Sequence, residues 1–324
     1  MRISRILAVL LGVASALVAG CLGTGEDRVL GVEASGTVAG FVYFDANGSR
    51  VPDANDPPLA DVGLRLVASG TRDTIARASS AGDGLFRLPR VPVGSYEIVV
   101  DPGTVDDSLQ VVGVDNPNFT LTPDDSVSVQ VAVSFPKVTV AEARALAPGE
   151  RVFVEGVALN AWETFGDLTV HLADLSGAIR GTRVRPAVII PGDGVRFQGL
   201  IGIADGQPTL EDVTPFVVGV VGLPPAQRLT TAAAATAADG ILDAALVNVA
   251  SATIVSTASV AGDLLLTVND GSGALIVLLD KDVLFTDLSP FVPGAVIDAR
   301  GLLVPDGSGR WRLKPRGDDD LVVR

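Results

Sequence analysis

The chain of 324 residues has one cysteine, one histidine and three lysines, and aromatic residues make up only 5% of it. A single cysteine cannot close an intramolecular disulfide, and one cysteine with one histidine cannot supply a structural zinc site. Most histidine-dependent hydrolase triads would require His171, and no serine nucleophile motif lies near it. Phosphate-binding glycine loops and dinucleotide fingerprints are also absent. These absences predict a protein that is not an enzyme.

What the chain does contain is short runs of Val, Leu, Thr and Gly, interrupted by turn residues. Such runs are typical of an all-β protein. The formal net charge is −14, and segment 21–135 alone has 16 acidic against 7 basic residues. A chain this acidic repels polyanions, so nucleic acid is not an expected partner, and cations suit the first segment better.

The N-terminus has the pattern of an export signal. Arg2 and Arg5 precede an apolar run over 6–18, and the small residues of LVAGC end at Cys21. The run is too short to span a bilayer comfortably. LVAGC resembles the lipobox of bacterial lipoproteins, which implies an acylated Cys21 at the start of the mature chain and a lipid bilayer as partner. The alternative is an ordinary signal peptide with a chance cysteine.

That resemblance also implies a location. The mature protein would lie in the cell envelope, outside the cytoplasm, and Leu22 after the acylated cysteine favours the outer membrane if the organism has two membranes. Several acyl chains on one residue give stable anchoring. We therefore expect a signal peptide over 1–20 and a tether over 21–37.

Segment 38–136 is predicted to be a β-sandwich, because its alternating runs and turns recur at sandwich spacing. Four motifs follow one another in order: GFVYFDANG (40–48), PLADV (58–62), AGDGLFRL (81–88) and PVGSY (92–96). Together they resemble the B-type, prealbumin-like sandwich domains of serine-aspartate adhesins. The resemblance implies an immunoglobulin- or prealbumin-like stalk. The internal Lys–Asn crosslink of some relatives is excluded, because 38–136 has no lysine.

The remainder reads as two copies of one unit, 137–221 and 222–324. GDL at 166–168 and DLSGAI at 174–179 return 96 residues later as GDL and DGSGAL. Each copy opens with a helix-compatible stretch, Val140–Leu146 and Thr230–Ala238, and about five strands follow. Five strands in this length suit an OB-type barrel. The segment GRWRLKPR (309–316) is similar to OB-fold modules of bacterial secreted proteins, some of them appended to extracellular nucleases.

A candidate calcium loop occupies residues 45–56. Oxygen ligands fall at positions 1, 3, 5, 7, 9 and 12 of an EF-hand-like loop, the seventh through a backbone carbonyl. These ligands are Asp45, Asn47, Ser49, Val51, Asp53 and Asp56. Adhesin B-type domains have a calcium loop here, which implies Ca²⁺ as a cofactor. Two departures are Arg50 where Gly is usual and Asp56 where Glu is usual. The alternative is a polar turn.

A basic cluster near the C-terminus is a candidate ligand edge. Strand alternation puts Arg310, Arg312, Lys314 and Arg316 on one face and Trp311 on the other. One interpretation is a polyanion-binding edge. The other, which we favour, has Trp311 inside and the cations paired with the acidic run 318–320. By the same alternation, His171 is expected on an exposed strand face.

The sequence therefore predicts an all-β, membrane-anchored envelope protein for binding or display, adhesin-like or structural. It would have a calcium-ordered stalk and two barrels that present a polysaccharide or protein ligand. One alternative is an OB-fold accessory for extracellular nucleic-acid processing. A second alternative is a glycan-active enzyme that depends on carboxylates alone.

Overall fold

The computed structural model describes residues 34–324. The predicted signal peptide, Cys21 and most of the tether lie outside the described residues. Within 34–324, no helix is both long enough and apolar enough to cross a membrane.

The first unit is a sandwich of two four-stranded sheets. Its strands are Ser35–Phe44 (β1), Gly63–Ala68 (β2), Thr74–Ser79 (β3), Leu85–Pro92 (β4), Gly94–Val100 (β5), Gln110–Val114 (β6), Asn118–Leu121 (β7) and Ser126–Ser134 (β8). One sheet has the order β4-β1-β8-β6 and the other β3-β2-β5-β7, with β1 and β8 parallel. A short 3₁₀ helix, Pro102–Thr104, follows β5.

The sandwich core lies between the two sheets, and the alternation of the strands generates it. In β2, Leu64 and Leu66 are buried while Arg65 between them is only partly covered. Val38, Val42 and Val131 from the facing sheet join the same apolar cluster. Residues two apart share a face, so each strand supplies one face to this core.

The first barrel follows directly. It contains Lys137–Val138 (β9), the helix Val140–Ala145 (α1), Arg151–Ala158 (β10), Val170–Asp174 (β11), Gly177–Gly181 (β12), Asp193–Ala204 (β13) and Gln207–Val220 (β14). The sheet runs β11-β12-β14-β13-β10-β9, and β10 also pairs with β11. That last pairing closes five strands into a barrel.

The second barrel repeats this plan. It contains Gln227–Arg228 (β15), the helix Thr231–Thr236 (α2), Leu246–Val260 (β16), Asp263–Asn269 (β17), Ala274–Leu279 (β18), Val296–Pro305 (β19), Trp311–Lys314 (β20), the 3₁₀ helix Asp318–Asp320 and Leu321–Val323 (β21). Its order is β15-β16-β17-β18-β20-β19-β21, and β16 also pairs with β19. The closed ring β16-β17-β18-β20-β19 has the same strand order as β10-β11-β12-β14-β13. The predicted fold class, a sandwich followed by two OB-like barrels, is confirmed.

The repeated motif at 174 and 270 has a clear structural role. Asp174 accepts the Val140 backbone N–H at 2.9 Å, and Ser176 Oγ accepts that of Ala141. In the second copy, Asp270 and Ser272 hold the first N–H groups of α2 in the same way. The first N–H groups of a helix lack intrahelical partners, so both copies keep the residues that supply them.

The start of the sandwich differs from the sequence prediction. β1 begins at Ser35, so the last three residues of the predicted tether, 35–37, are strand. Thr37 pairs with Ser126 on β8, and Ser35 with Pro92 on β4. The polar, glycine-bearing composition of 22–37 concealed this strand end because the residues of 35–37 are small. The exact boundaries between the units stay predictions.

A glycine pair tests the packing of the sandwich. A Cβ at Gly40 would overlap the Val129 carbonyl oxygen and the Phe86 ring, whereas one at Gly82 would meet nothing within 4 Å. We expect Gly40→Ala to lower the stability of the sandwich by about 1–3 kcal/mol, the usual cost of overpacking. Gly82→Ala should leave it nearly unchanged. Urea unfolding of both variants measures the difference, and equal midpoints would contradict the packing described for β1.

Candidate functional site

The loop of residues 45–56 is fixed at both ends by buried carboxylates. Asp45 is fully buried and accepts the backbone N–H groups of Ser49 at 2.9 Å and Arg50 at 2.8 Å. Asp56, also buried, accepts those of Ala46 and Asp53, both at 2.9 Å. The two carboxylates thereby hold the loop closed.

The other predicted ligands lie on the outer part of the loop. Asn47 Oδ1 accepts the Ser49 N–H at 2.8 Å, and its amide donates to Asp53 Oδ2 at 2.7 Å. The Ser49 hydroxyl donates to the Val51 carbonyl at 2.9 Å. All six predicted ligands therefore belong to one hydrogen-bonded loop.

Arg50 occupies the loop position where calcium loops have glycine, and it has the backbone conformation for which glycine is used there. Its φ is +63°, in the left-handed region. Its N–H on Asp45 completes the sharp turn. The departure from the sequence pattern is therefore not a departure in backbone shape.

The chemistry of the loop suits a hard cation. Its donors are all oxygens, the ligands that Ca²⁺ takes. A carboxylate oxygen has two acceptor sites, so the backbone N–H groups that reach Asp45 and Asp56 leave acceptor capacity. Across 34–324 no three His, Cys, Asp or Glu side chains form a metal-binding group. A cation here would need the Asn47, Ser49 and Val51 oxygens as well as the carboxylates.

The pKa of the neighbouring Tyr43 is affected by the negative charges of this region. Tyr43 is buried, and burial together with the charges of Asp45, Asp56 and Asp115 raises its pKa to about 12. The phenol therefore stays neutral and the local charge is that of the carboxylates.

The same loop lies at the joint between the sandwich and the first barrel. Arg196 of β13 donates from Nη1 to the Asn47 carbonyl oxygen at 2.7 Å, and its Nε lies 3.1 Å from Glu155. Lys137 also binds Glu155, at 2.7 Å. One arginine of the first barrel thus donates a hydrogen bond to the backbone of the loop.

Aromatic rings continue this joint into the barrel. Phe44, next to Asp45, meets Phe135 edge-on with ring centroids 5.3 Å apart. Phe135 then lies 6.4 Å from Phe153, which lies 6.3 Å from Phe216. Such contacts stabilise beyond area burial alone. An open cleft of about 760 Å³ beside the joint is lined from both units, with Arg50 and Val111 on one side and Lys137 and Val218 on the other.

The two barrels meet through a small apolar cluster surrounded by charges. Leu159 and Phe165 of the first barrel pack with Leu246, Val283 and Leu302 of the second. At its edge, Arg316 donates to the Leu159 carbonyl oxygen at 2.7 Å.

Beside this cluster, a loop of the second barrel carries a fully buried carboxylate onto the first barrel. Asp243 Oδ2 lies 3.6 Å from Arg180 Nε and 3.9 Å from Arg144 Nη1, while Oδ1 accepts the Trp311 indole N–H at 3.0 Å. Burial raises the pKa of Asp243, and Arg180, Trp311 and Arg144 act in the opposite direction. The sequence did not lead us to predict this site. The signal that could have found it is a single arginine within an apolar strand, such as Arg180 after Ile179.

His171 is at the same junction, and the expectation that it is exposed is wrong. It is 1% exposed. Its Nδ1 lies 3.0 Å from Asn160 Oδ1, which also accepts the His171 backbone N–H, so Nδ1 is the donor in that pair. Alternation did place His171 on the face opposite Val170 and Leu172, but the second barrel covers that face.

The cations of the candidate ligand edge are all engaged. Arg310 binds the Ala274 carbonyl and Arg312 the Asp306 carbonyl. Lys314 pairs with Asp280 at 2.7 Å, and Arg316 pairs with Asp320 at 2.8 Å. Trp311 and Leu313 lie in the core of the second barrel. Trp311 therefore lies inside, but the predicted pairing with the acidic run 318–320 holds only for Arg316, which pairs with Asp320.

Comparison with known proteins gives no family. No protein-family model matches the chain, and no curated protein matches it. Among solved structures, the minor pilin GBS52 of Streptococcus agalactiae is 16% identical, with 32% of this chain and 48% of the pilin covered and a TM-score of 0.23. The major pilin SpaD of Corynebacterium diphtheriae is 8% identical, with 52% and 39% covered and a TM-score of 0.25.

A murine DNA-binding protein bound to double-stranded DNA is 12% identical, with 55% of this chain and 98% of that chain covered and a TM-score of 0.28. At these TM-scores none of the likenesses carries an argument. The fold class rests on the strand orders described above.

The joint at the loop can be tested with one arginine. We expect Arg196→Met to cost about 1.5–3 kcal/mol, the range for a lost hydrogen bond to a charged group, because the Asn47 carbonyl loses its donor while the apolar stem remains. Arg183→Met removes exposed ion pairs with Glu211 and Asp212 from the same barrel and should not change stability measurably. Thermal unfolding compares the two variants. Equal midpoints would show that Arg196 does not connect the units energetically.

Proposed function

We propose that this protein is an envelope display protein, anchored by lipid at Cys21, whose sandwich holds the two barrels away from the membrane. The observation that carries the proposal is that each pair of successive units is joined through buried and half-buried side chains. Arg196 and the phenylalanine rings join the sandwich to the first barrel, and Arg316 with the Leu159–Phe165 cluster joins the two barrels. A protein that displays a surface needs such fixed joints, whereas a flexible linker would let each unit turn separately.

The role of binding and display, rather than catalysis, is supported by how the reactive groups are used. His171 is buried and held by Asn160, and the basic residues 310–316 bind carboxylates and carbonyls of the two barrels. A cationic side chain that is already paired within the protein has little capacity to bind the phosphates of a polyanion. This weighs against the nucleic-acid alternative. Polysaccharide or protein remains the proposed class of ligand.

Calcium is proposed as the cofactor of the loop 45–56. The closed backbone, the left-handed Arg50 and the all-oxygen donor set support it. Because Arg196 binds the Asn47 carbonyl, a cation in the loop would also stiffen the first joint.

Thermal unfolding with calcium or with a chelator tests the cofactor. At tenfold excess over its Kd, calcium should stabilise the sandwich by about 1.4 kcal/mol, roughly 5–10 °C for a unit of this size. Asp45→Ala combined with Asp53→Ala should abolish the gain. Asp106→Ala, which removes a carboxylate from another turn of the sandwich, should retain it. A calcium shift that survives the double variant would move the metal away from this loop.

Detergent phase separation tests the anchor. The unmodified protein should enter the detergent phase when expressed in a bacterial host that acylates lipoproteins, and Cys21→Ser should stay in the aqueous phase because the acylated thiol is gone. Equal partition of the two forms would reject lipid anchoring while leaving the display role open.

A further inference from the structure

The junction between the barrels contains a row of buried polar groups that the display role does not use. His171 on β11 is directly opposite Arg180 on β12, and Arg180 is directly opposite Thr209 on β14. Residues opposite each other on neighbouring strands share a face, so these three side chains form one line across the first barrel. We call it the polar row.

The second barrel packs residues 237–245, the inserted loop, against Arg180 in the middle of this row, and it places Lys314 and Arg316 near His171. Arg144 of the first barrel donates to the Gly240 carbonyl oxygen at 2.7 Å, and Asp243 reaches to within 3.6 Å of Arg180. Gly240 has a φ of +91°, a backbone conformation that residues with a side chain rarely adopt, so glycine suits this position.

Four buried side-chain atoms have no hydrogen-bond partner within 34–324, and all four lie at this one junction. They are His171 Nε2, Arg180 Nε, Thr209 Oγ1 and Asp243 Oδ2. Since Nδ1 of His171 donates to Asn160, its Nε2 is a bare acceptor, the atom to which a proton would add.

The charges that act against a proton on His171 are those of three cations, Arg180, Lys314 and Arg316. The charged groups facing or adjoining His171 come from every element packed there. They are Arg144 from α1, Arg180 from β12, Lys314 from β20, Arg316 after β20, Asp243 from the inserted loop, Asp280 after β18, Asp167 before β11 and Asp320 from the last 3₁₀ helix.

Three of the four acids among these groups are engaged, and the fourth, Asp167, is half exposed and lies 3.9 Å from Lys314. Asp280 pairs with Lys314, Asp320 with Arg316, and Asp243 lies between two arginines. Burial, followed by Arg180, Lys314 and Arg316, lowers the pKa of His171 well below 6.5. The assembled junction therefore disfavours the imidazolium.

The inserted loop is also strained. Ala237, Ala238 and Asp239 have φ values of +46°, +47° and +56°, so three consecutive non-glycine residues are left-handed. Each such residue costs about 1–2 kcal/mol, and the conformation persists only where surrounding contacts impose it. Ala237 is held in the core of the second barrel, and the contacts of Gly240 with Arg144 and of Asp243 with Arg180 hold the following part of the loop against the first barrel.

We propose that the junction is an acid-operated lock, closed while His171 is neutral and opened when its imidazole takes up a proton. Opening moves Lys314 and Arg316 away from His171 and frees the inserted loop. The five apolar residues of the junction form a small patch, and interfaces of this type permit relative motion. The segment 221–226, which contains Pro224 and Pro225, keeps the barrels tethered. This inference does not depend on calcium or on the lipid anchor.

The sign of the pH dependence follows from proton linkage. The open state binds a proton at the ordinary histidine pKa of about 6.5, and the closed state does not. Acid therefore favours opening, and the open-to-closed ratio should rise about tenfold between pH 7.5 and 5.5. Protonation of Asp243 has the opposite effect on the junction. Its pKa is raised in the closed state, so as the pH falls the closed state binds this proton before the open state does. That effect belongs to lower pH, toward the ordinary aspartate value.

The experiment combines two readouts on the full chain without a histidine tag. His171 is the only histidine, so its imidazole NMR signals need no assignment. Hydrogen exchange of the Leu242 and Asp243 amides reports release of the inserted loop, after correction for the intrinsic rate and with β2 amides as reference. We expect loop protection to fall about tenfold from pH 7.5 to 5.5 while β2 protection holds, and His171→Asn to remove the pH dependence.

Three outcomes would overturn the proposal. They are a His171 titration near 6.5 while the loop stays protected, unchanged loop protection at pH 5.5, or an equal loss of protection in His171→Asn. If His171→Asn does not fold, the first two measurements on the unmodified chain still decide. A His171 signal that changes only together with loop release supports the lock.

Discussion

The acceptance of backbone N–H groups by aspartate side chains is the interaction on which most of this structure depends. Asp45 and Asp56 close the loop at the first joint, and Asp174 and Asp270 begin the helices of the two barrels. In a chain without disulfides and with few aromatic residues, these bonds fix the turns. They also make the carboxyl groups more acidic. Burial raises the pKa of Asp270, but hydrogen bonds from Ser272 and Thr231 lower that pKa below its usual value.

Arginine has the complementary role. Arg196 and Arg316 each cross from one unit to a backbone carbonyl of another, and Arg144 and Arg180 receive Asp243. A planar guanidinium has several fixed donors and a long apolar stem, so it can cross an interface that a lysine would leave incompletely bonded. These four arginines therefore hold the units together.

The local alternation of residues predicts the features of the fold that alternation alone determines. The alternating runs at 63–67 and 126–133 predict strands, and strands are found there. The repeat at 174 and 270 predicts two like units, and the two barrels have one strand order. No alternating run predicts β6 or β7, because Gly113 and Pro117 interrupt the pattern there. The burial of His171 and the positions of Arg196 and Asp243 depend on which units meet, and strand alternation has no information about a covering neighbour.

The duplicated barrels are alike in topology but not in the surface that joins them. The positions of the second barrel equivalent to His171 and Arg180 are Thr267 and Ile276, paired in the same register. The second barrel thus has the inserted loop, but it lacks the polar row that would bind the inserted loop of another barrel. A head-to-tail contact of this kind would propagate into a filament if every unit had both halves. Because Thr267 and Ile276 replace that half, this contact cannot be repeated on the second barrel.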